Sequence, residues 1–265
     1  MTATTTETAW IPGVVVSRQE WLEARKALLA REKQATRLHD ELSRQRRELP
    51  WTKLDKDYVF EGPEGPVKLA DLFDGRNQLM VYHFMMGPGQ KQGCVGCSFI
   101  ADHVDGARQH FEQNNLSFVA VARAPYADIA AYKNRMGWQF KFVSSNASDF
   151  NYDFHVSFRP EELASGKAYY NFEFRERVGA EEPGLSVFFK DAKGGIYHTY
   201  STYGRGPEPL LGAYQFIDFT PIGRNESPNG NLMDWVHRHD QYESDGRLGS
   251  PKVAKEGCGC GDAQH

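Results

Sequence analysis

Leu79-Met80-Val81-Tyr82-His83-Phe84-Met85-Met86, then Gly87-Pro88-Gly89, then Gly93-Cys94-Val95-Gly96-Cys97-Ser98, is the stretch on which the reading of this chain turns. The first eight residues are apolar or aromatic except for His83, which is the length and character of a strand buried on both faces. Gly87-Pro88-Gly89 breaks it. Beyond the CxxC motif, Ile100, Val104, Ala107 and Phe111 recur at steps of four, three and four, so a single helix is predicted from Ser98 to about Asn114. Leu116 to Ala122 reads as a second apolar strand. Tyr126 to Met136 reads as a second helix with Gly137 as its C-cap, and Phe140 to Val143 as a third strand. Alternation of strand, helix, strand, helix, strand predicts an α/β layer with parallel strands.

That setting gives the CxxC its meaning. A cysteine that follows a buried strand and opens a helix sits near unsatisfied N–H groups, where a thiolate is favoured. Cys94 is therefore assigned as the attacking thiol. Cys97, one turn on, is assigned as the resolving thiol that attacks the mixed disulfide. Two other readings stay open at this point: half of a metal site, or two inert buried thiols.

The two other cysteines form Cys258-Gly259-Cys260, flanked by Gly257 and Gly261. Such glycines predict a flexible tail. Its CxC could exchange disulfides with Cys94, serve an outside reductase, or have no role. With Cys94 and Cys97 it could also supply four thiolates, enough for tetrahedral zinc or Cu(I).

Other polar groups are weaker candidates. His103 and Asp102 follow the motif by about two turns, and His103 is a candidate to perturb a thiol. His83 is read as a proton shuttle or as a hydrogen-bonded core histidine. Asp102 and Asp105 are expected to face water. Trp138, Phe140, Phe142, Tyr152 and Phe154 are expected in the core rather than around a pocket. There is no GxGxxG, P-loop, HExxH or GxSxG pattern.

Outward from the centre, Ser17-Arg18-Gln19-Glu20 reads as a capping box, opening a long helix that Pro50 stops after Leu49. Trp21, Leu28, Ala35 and Leu42 recur every seven residues. This thin stripe either packs on the chain's own domain or joins a second copy in a homo-oligomer. Tyr58 to Glu61 and Val67 to Leu69 predict a hairpin around Gly62-Pro63-Glu64-Gly65. Between 144 and 183 aromatics are dense, and Arg175 to Glu182 is read as charged and exposed. Leu185 to Lys190 and Ile196 to Thr202 predict a second hairpin, Pro209 to Phe216 a last helix, and Trp235 a docking residue.

The 265 residues are 40% hydrophobic and 13% aromatic, ample for a core, with a formal net charge of -4. A mildly acidic chain is not expected to bind nucleic acid. No apolar run reaches membrane-spanning length, and Met1-Thr2-Ala3-Thr4-Thr5-Thr6-Glu7 has no signal-peptide character. Four cysteines are too few for a secreted disulfide scaffold of this size, so a cytoplasmic protein is expected.

Leu79 to Pro88 and Gly93 to Phe99 together resemble the bacterial DUF899 proteins. So do Arg123-Ala124-Pro125, Arg135-Met136-Gly137-Trp138, Ser148 to Phe154 and Tyr197 to Tyr203. That family is grouped with thioredoxin-like and alkyl-hydroperoxide-reductase-like proteins. The resemblance implies a thioredoxin-like fold, a central mixed sheet flanked by helices, with the long N-terminal helix and polar C-terminal tail as additions. The expected organisation is a tail and helix over 1–49, a thioredoxin-like domain over 50–225, and an extension with the CxC tail over 226–265. Relative to thioredoxin, Gly93 stands where a tryptophan is usual, and the loop before the CxxC is longer. Pro183 is the candidate for the cis-proline that faces the active site. The Pro-x-x-x-Thr/Ser-x-x-Cys pattern of peroxiredoxins is missing, which disfavours peroxidase activity. The activity implied is a thiol–disulfide oxidoreductase. It acts on a thiol or disulfide substrate, is recycled by a reductase or small thiol, and needs no organic cofactor. The alternatives are a zinc or copper protein and a non-catalytic interaction protein.

Overall fold

The computed structural model describes residues 13–176, 179–224, 226 and 233–242. It divides between Leu49 and Pro50 into two units.

The first unit is one helix, α1 (Arg18–Glu48). The capping box forms as expected: the Glu20 N–H donates to Ser17 Oγ at 3.3 Å, and the Ser17 N–H donates to Glu20 Oε2 at 2.9 Å. Arg44 bridges Glu41 and Glu48 along the helix. No residue of α1 is buried, and Trp21, Leu28 and Leu42 of the apolar stripe are exposed, as is Leu38 beside it.

The second unit is built on an eight-stranded sheet. In chain order its elements begin with β1 (Thr52–Lys53), β2 (Val59–Gly62), β3 (Gly65–Lys68), β4 (Gln78–His83), α2 (Val95–Ala101) and α3 (Val104–Gln113). There follow β5 (Leu116–Ala122), α4 (Tyr126–Arg135), β6 (Lys141–Ser144), α5 (Phe150–Asp153) and α6 (Pro160–Ala164). A separate two-stranded ribbon, β7 (Lys167–Tyr170) with β8 (Glu173–Glu176), precedes β9 (Gly184–Lys190), β10 (Ile196–Tyr203) and α7 (Gly212–Asp218).

The sheet order is β1-β10-β9-β4-β5-β6-β2-β3. Strands β4, β5 and β6 are parallel, and β9 pairs antiparallel with β4. The fold is thus the expected mixed α/β, thioredoxin-like arrangement: a parallel βαβαβ half continued by an antiparallel hairpin. Both faces of the centre are covered, so side chains alternate between two cores rather than between core and water. Tyr82, Phe118, Ala120 and Ala122 face the α2–α4 side with Phe84 and Cys97. Leu79, Val81, Val119 and Val121 face the other side with Phe150, Phe154 and Phe188.

Two local expectations are corrected. The helix predicted over 98–114 is two helices, because the chain breaks at Asp102 and His103. His103 Nδ1 bonds the Phe99 carbonyl at 2.7 Å, and the Ala213 N–H donates to His103 Nε2 at 2.9 Å. This neutral tautomer pins α7 against the break. The stretch predicted as exposed at 175–182 ends in two largely buried carboxylates, Glu181 and Glu182. Trp235 docks as expected, packing with Phe99 and Tyr214.

Candidate active site

The CxxC sits at the C-terminal end of the central parallel strands. After β4 the chain runs over the sheet edge, and the Phe84 N–H donates to the Val121 carbonyl at 2.8 Å. It then doubles back until the Cys94 N–H meets the Met85 carbonyl at 3.0 Å. At the turn Gly93 lies flat on the buried Phe84 ring. A Cβ there would stand 2.1 Å from Phe84 Cε1, so any larger residue forces the ring or the loop to shift.

Cys94 is the N-cap residue of α2, half-buried, while Cys97 is buried. The two sulfurs are hydrogen-bonded neighbours. Burial pushes the Cys97 thiol well above its ordinary value, and the adjoining Cys94 pushes it further; the Tyr82 hydroxyl and the Met85 N–H, 3.5 Å from Sγ, act in the opposite direction. Tyr82 is itself fully buried, makes no hydrogen bond to oxygen or nitrogen among the described residues, and is held neutral by that burial. With α2 only seven residues long, the dipole a long helix would bring to Cys94 is cut short, and the first-turn N–H groups remain.

Polar contacts brace the motif from below. The Ser98 N–H and hydroxyl both donate to the Cys94 carbonyl, at 3.0 and 2.7 Å, and Ser98 Oγ shares a 2.7 Å hydrogen bond with Tyr132. Arg238 donates to the Gly93 carbonyl from Nη2 at 2.6 Å and to the Tyr132 hydroxyl from Nε at 3.1 Å. Met233 covers Gly96: a Cβ added there would lie 3.0 Å from the Met233 methyl.

The model of the family described as "Bacterial protein of unknown function (DUF899)" matches residues 12–242. The chain belongs to this family. No curated protein matches it. Among solved structures, the peroxidoxin BcpB from Mycobacterium tuberculosis is similar at 12% identity and TM-score 0.40, covering 64% of this chain and 97% of that one. A cysteine-to-serine mutant of PrxQ from Xylella fastidiosa is similar at 13% identity and TM-score 0.39, covering 63% of this chain and 94% of that one. Likenesses of this size carry no information on activity.

The other residues singled out in this DUF899 chain fall into place separately. His83 faces the opposite side of the sheet from Cys97, stacked on Phe150 and Phe154, with Nε2 2.8 Å from Ser186 Oγ. It is a core histidine and not a shuttle for the thiols: alternation along β4 puts Tyr82, not His83, on the cysteine face. Burial, with His198 as the smaller cause, lowers its pKa to about 3. His103 has both nitrogens engaged by the backbone, so it does not act on a thiol. Asp102 does not simply face water; its Oδ1 accepts from Trp138 Nε1 and lies against His239 Nδ1, each at 2.7 Å. Asp105 accepts from the Gln139 N–H at 2.6 Å. Pro183 is trans, since no cis peptide bond occurs among the described residues, and its carbonyl accepts from the Tyr170 hydroxyl at 2.7 Å.

Glu182 was missed by sequence reading. Burial chiefly raises its carboxyl, and Cys94 is among the charges that raise it further. Its neighbour Glu181 pairs with Arg123 at 2.8 Å and accepts from Ser157. The missed residues Tyr82, Ser98 and Tyr132 had a usable signal in the alternation of β4 and the turn spacing of the helices; Glu182, Met233 and Arg238 had none. Cys258 and Cys260 lie outside the described residues. Among the described residues no group of three or more His, Cys, Asp or Glu side chains is gathered as a metal site. No described helix is long and apolar enough to cross a membrane.

Proposed function

We propose that the chain is a thiol–disulfide oxidoreductase in which Cys94 attacks and Cys97 resolves. The observation that carries this reading is the unequal exposure of two touching thiols, one half-buried and one buried with its pKa pushed up. An incoming disulfide can reach only the outer sulfur. The Cys94 thiolate attacks one substrate sulfur, forming a mixed disulfide and releasing the other as a thiol. Cys97 then gives up its proton and attacks Cys94, breaking the mixed disulfide and releasing the second thiol. One substrate disulfide becomes two thiols while two cysteine thiols become one disulfide.

The Tyr82 hydroxyl and Met85 N–H lie where the Cys97 thiolate forms, which supports its role as the second nucleophile. The sulfurs carry the electrons, so no organic cofactor is required, and recycling falls to a reductase or small thiol. A cytoplasmic location fits this chemistry.

The test is a redox titration of the purified full chain, with metal analysis, beside Cys94→Ser. A reversible two-electron couple in the wild type that is lost in Cys94→Ser is expected. Stoichiometric zinc or copper with no reversible disulfide would sink the reading and promote the thiolate metal site.

A further inference from the structure

An extended protein segment is recognised through its main chain when it can pair with an open strand edge. Beside the CxxC such edges are taken. The motif follows β4, which stands three strands in from β1 and four from β3, the two edges of the eight-stranded sheet. Its neighbour β9 is paired on both sides from Gly184 onward, with β4 and with β10.

The chain just before β9 runs past the thiols. Gly87, in the loop that leads to Cys94, packs on it: a Cβ there would lie 3.3 Å from Glu181 Oε1. Cys94 and Glu182 are near enough for the charge of one to act on the other. This stretch already has a partner. Ser157 and Glu181 form an antiparallel bridge, the Glu182 N–H donates to the Val156 carbonyl at 2.8 Å, and the Phe158 N–H donates to the Ala180 carbonyl at 3.4 Å. Pro183 has no N–H to offer, and its carbonyl holds the Tyr170 hydroxyl.

A second piece of chain, 233–242, is strapped over the start of α2. Arg238 Nη2 donates to the Gly93 carbonyl at 2.6 Å, and a Cβ on Gly96 would lie 3.0 Å from the Met233 methyl. Asp240 accepts two hydrogen bonds from Arg135, at 2.7 and 3.1 Å, and Arg135 donates to Gln92 Oε1 at 3.0 Å, two residues before Cys94. The Cys94 carbonyl is taken by Ser98. What remains for a substrate is the half-buried Cys94 sulfur and the first-turn N–H groups of α2. These fit a compact disulfide and offer an extended peptide no strand to pair with.

Resting on the oxidoreductase reading above, we propose that the substrate of Cys94 is a low-molecular-weight disulfide rather than a disulfide held in a protein. Cys94 attacks one sulfur of the small disulfide and the other leaves as a thiolate that takes a proton. Cys97 then attacks Cys94 and releases the second small thiol. The substrate gains two electrons and two protons, and the CxxC loses them as its own disulfide forms.

The experiment mixes the reduced full-length protein with bis(2-hydroxyethyl) disulfide or with insulin. Each second-order rate constant is divided by that of dithiothreitol acting on the same disulfide, which removes the intrinsic reactivity of the probe. The normalised constants are expected to favour the small disulfide by about 30-fold, the equivalent of two main-chain hydrogen bonds that a protein substrate forgoes here. Cys94→Ser is expected to abolish both reactions. A ratio near one, or one that favours insulin, would overturn the proposal. So would no reaction with the small disulfide while the Cys94–Cys97 couple still titrates, an outcome that leaves the oxidoreductase reading standing. A wild-type protein with no reversible couple would overturn both.

Discussion

Gly93 shows how one missing methyl places the reactive sulfur. The chain needs to pass over the Phe84 ring to bring Cys94 onto the end of the sheet, and an added Cβ would meet Phe84 Cε1 at 2.1 Å, Cζ at 2.6 Å and Tyr132 Cε1 at 3.1 Å. Phe84 is buried among Tyr132, Trp138 and Phe142 and has little room to yield. Gly93→Ala is therefore expected to cost about 1–3 kcal/mol, the usual range for overpacking a core, seen as a lower urea midpoint with an unchanged slope. An unchanged midpoint would mean that the loop can lift off Phe84 freely. The sequence showed this glycine as a departure from thioredoxin, but the reason lies in a ring nine residues earlier.

At the scale of elements, the break between α2 and α3 joins three helices through one imidazole. His103 occupies the Phe99 carbonyl and receives the Ala213 N–H, so α7 begins where His103 ends. His103→Ala leaves that N–H without its acceptor, with an expected loss of about 1–3 kcal/mol. Amide exchange is expected to quicken in α7 and at the start of α3 while β4 and β5 keep their protection. Uniform change across all of them would point to global destabilisation instead. Periodicity favoured one long helix here because Ile100, Val104, Ala107 and Phe111 do keep a helical step. What periodicity cannot carry is a side chain that replaces a main-chain hydrogen bond with one to a segment 110 residues away.

For the whole molecule, the face of the sheet opposite the cysteines holds a buried polar chain: His83 to Ser186, Ser186 to Ser201 at 2.8 Å, and Ser201 to His198 at 2.7 Å. Aromatic rings enclose it, Phe150 and Phe154 against His83 and Phe154 and Phe188 against His198. Both histidines have lowered pKa values, that of His83 about 3 against an ordinary 6.5. Below about pH 6.5 the unfolded chain binds protons that the folded chain refuses. The stability His83 contributes is thus intact above that pH and is lost as pH falls toward about 3, with a slope approaching ~1.4 kcal/mol per pH unit. Glu181 and Glu182, raised by burial, act in the opposite sense above the ordinary carboxylate pKa. The clean measurement is the difference between wild type and His83→Leu in urea unfolding from pH 7 to 4. The wild type is expected to lose ground to the variant steadily as pH drops; a constant difference would refute the assignment.

Local signals in the chain set the order and type of the central elements, apart from the break at Asp102 and His103 that divides one expected helix into two. Apolar runs at strand length and helical steps are local signals, and a sheet covered on both faces reinforces every one of them. The sequence by itself also singled out the CxxC, because two cysteines one helical turn apart after a buried strand are a local pattern. Tertiary structure alone decided which polar groups meet those thiols. Side chains that alternate along β4 belong to different cores, so His83 was carried away from the cysteines and Tyr82 toward them. Glu182, whose carboxyl Cys94 helps to raise, and Arg238, which holds the Gly93 carbonyl beside the thiols rather than a thiol itself, come from segments 88 and 144 residues beyond Cys94, and nothing in their own neighbourhoods encodes that approach. Burial, not composition, turned the charged stretch at 181–182 inward, since Glu181 finds Arg123 and Ser157 only when the sheet has formed.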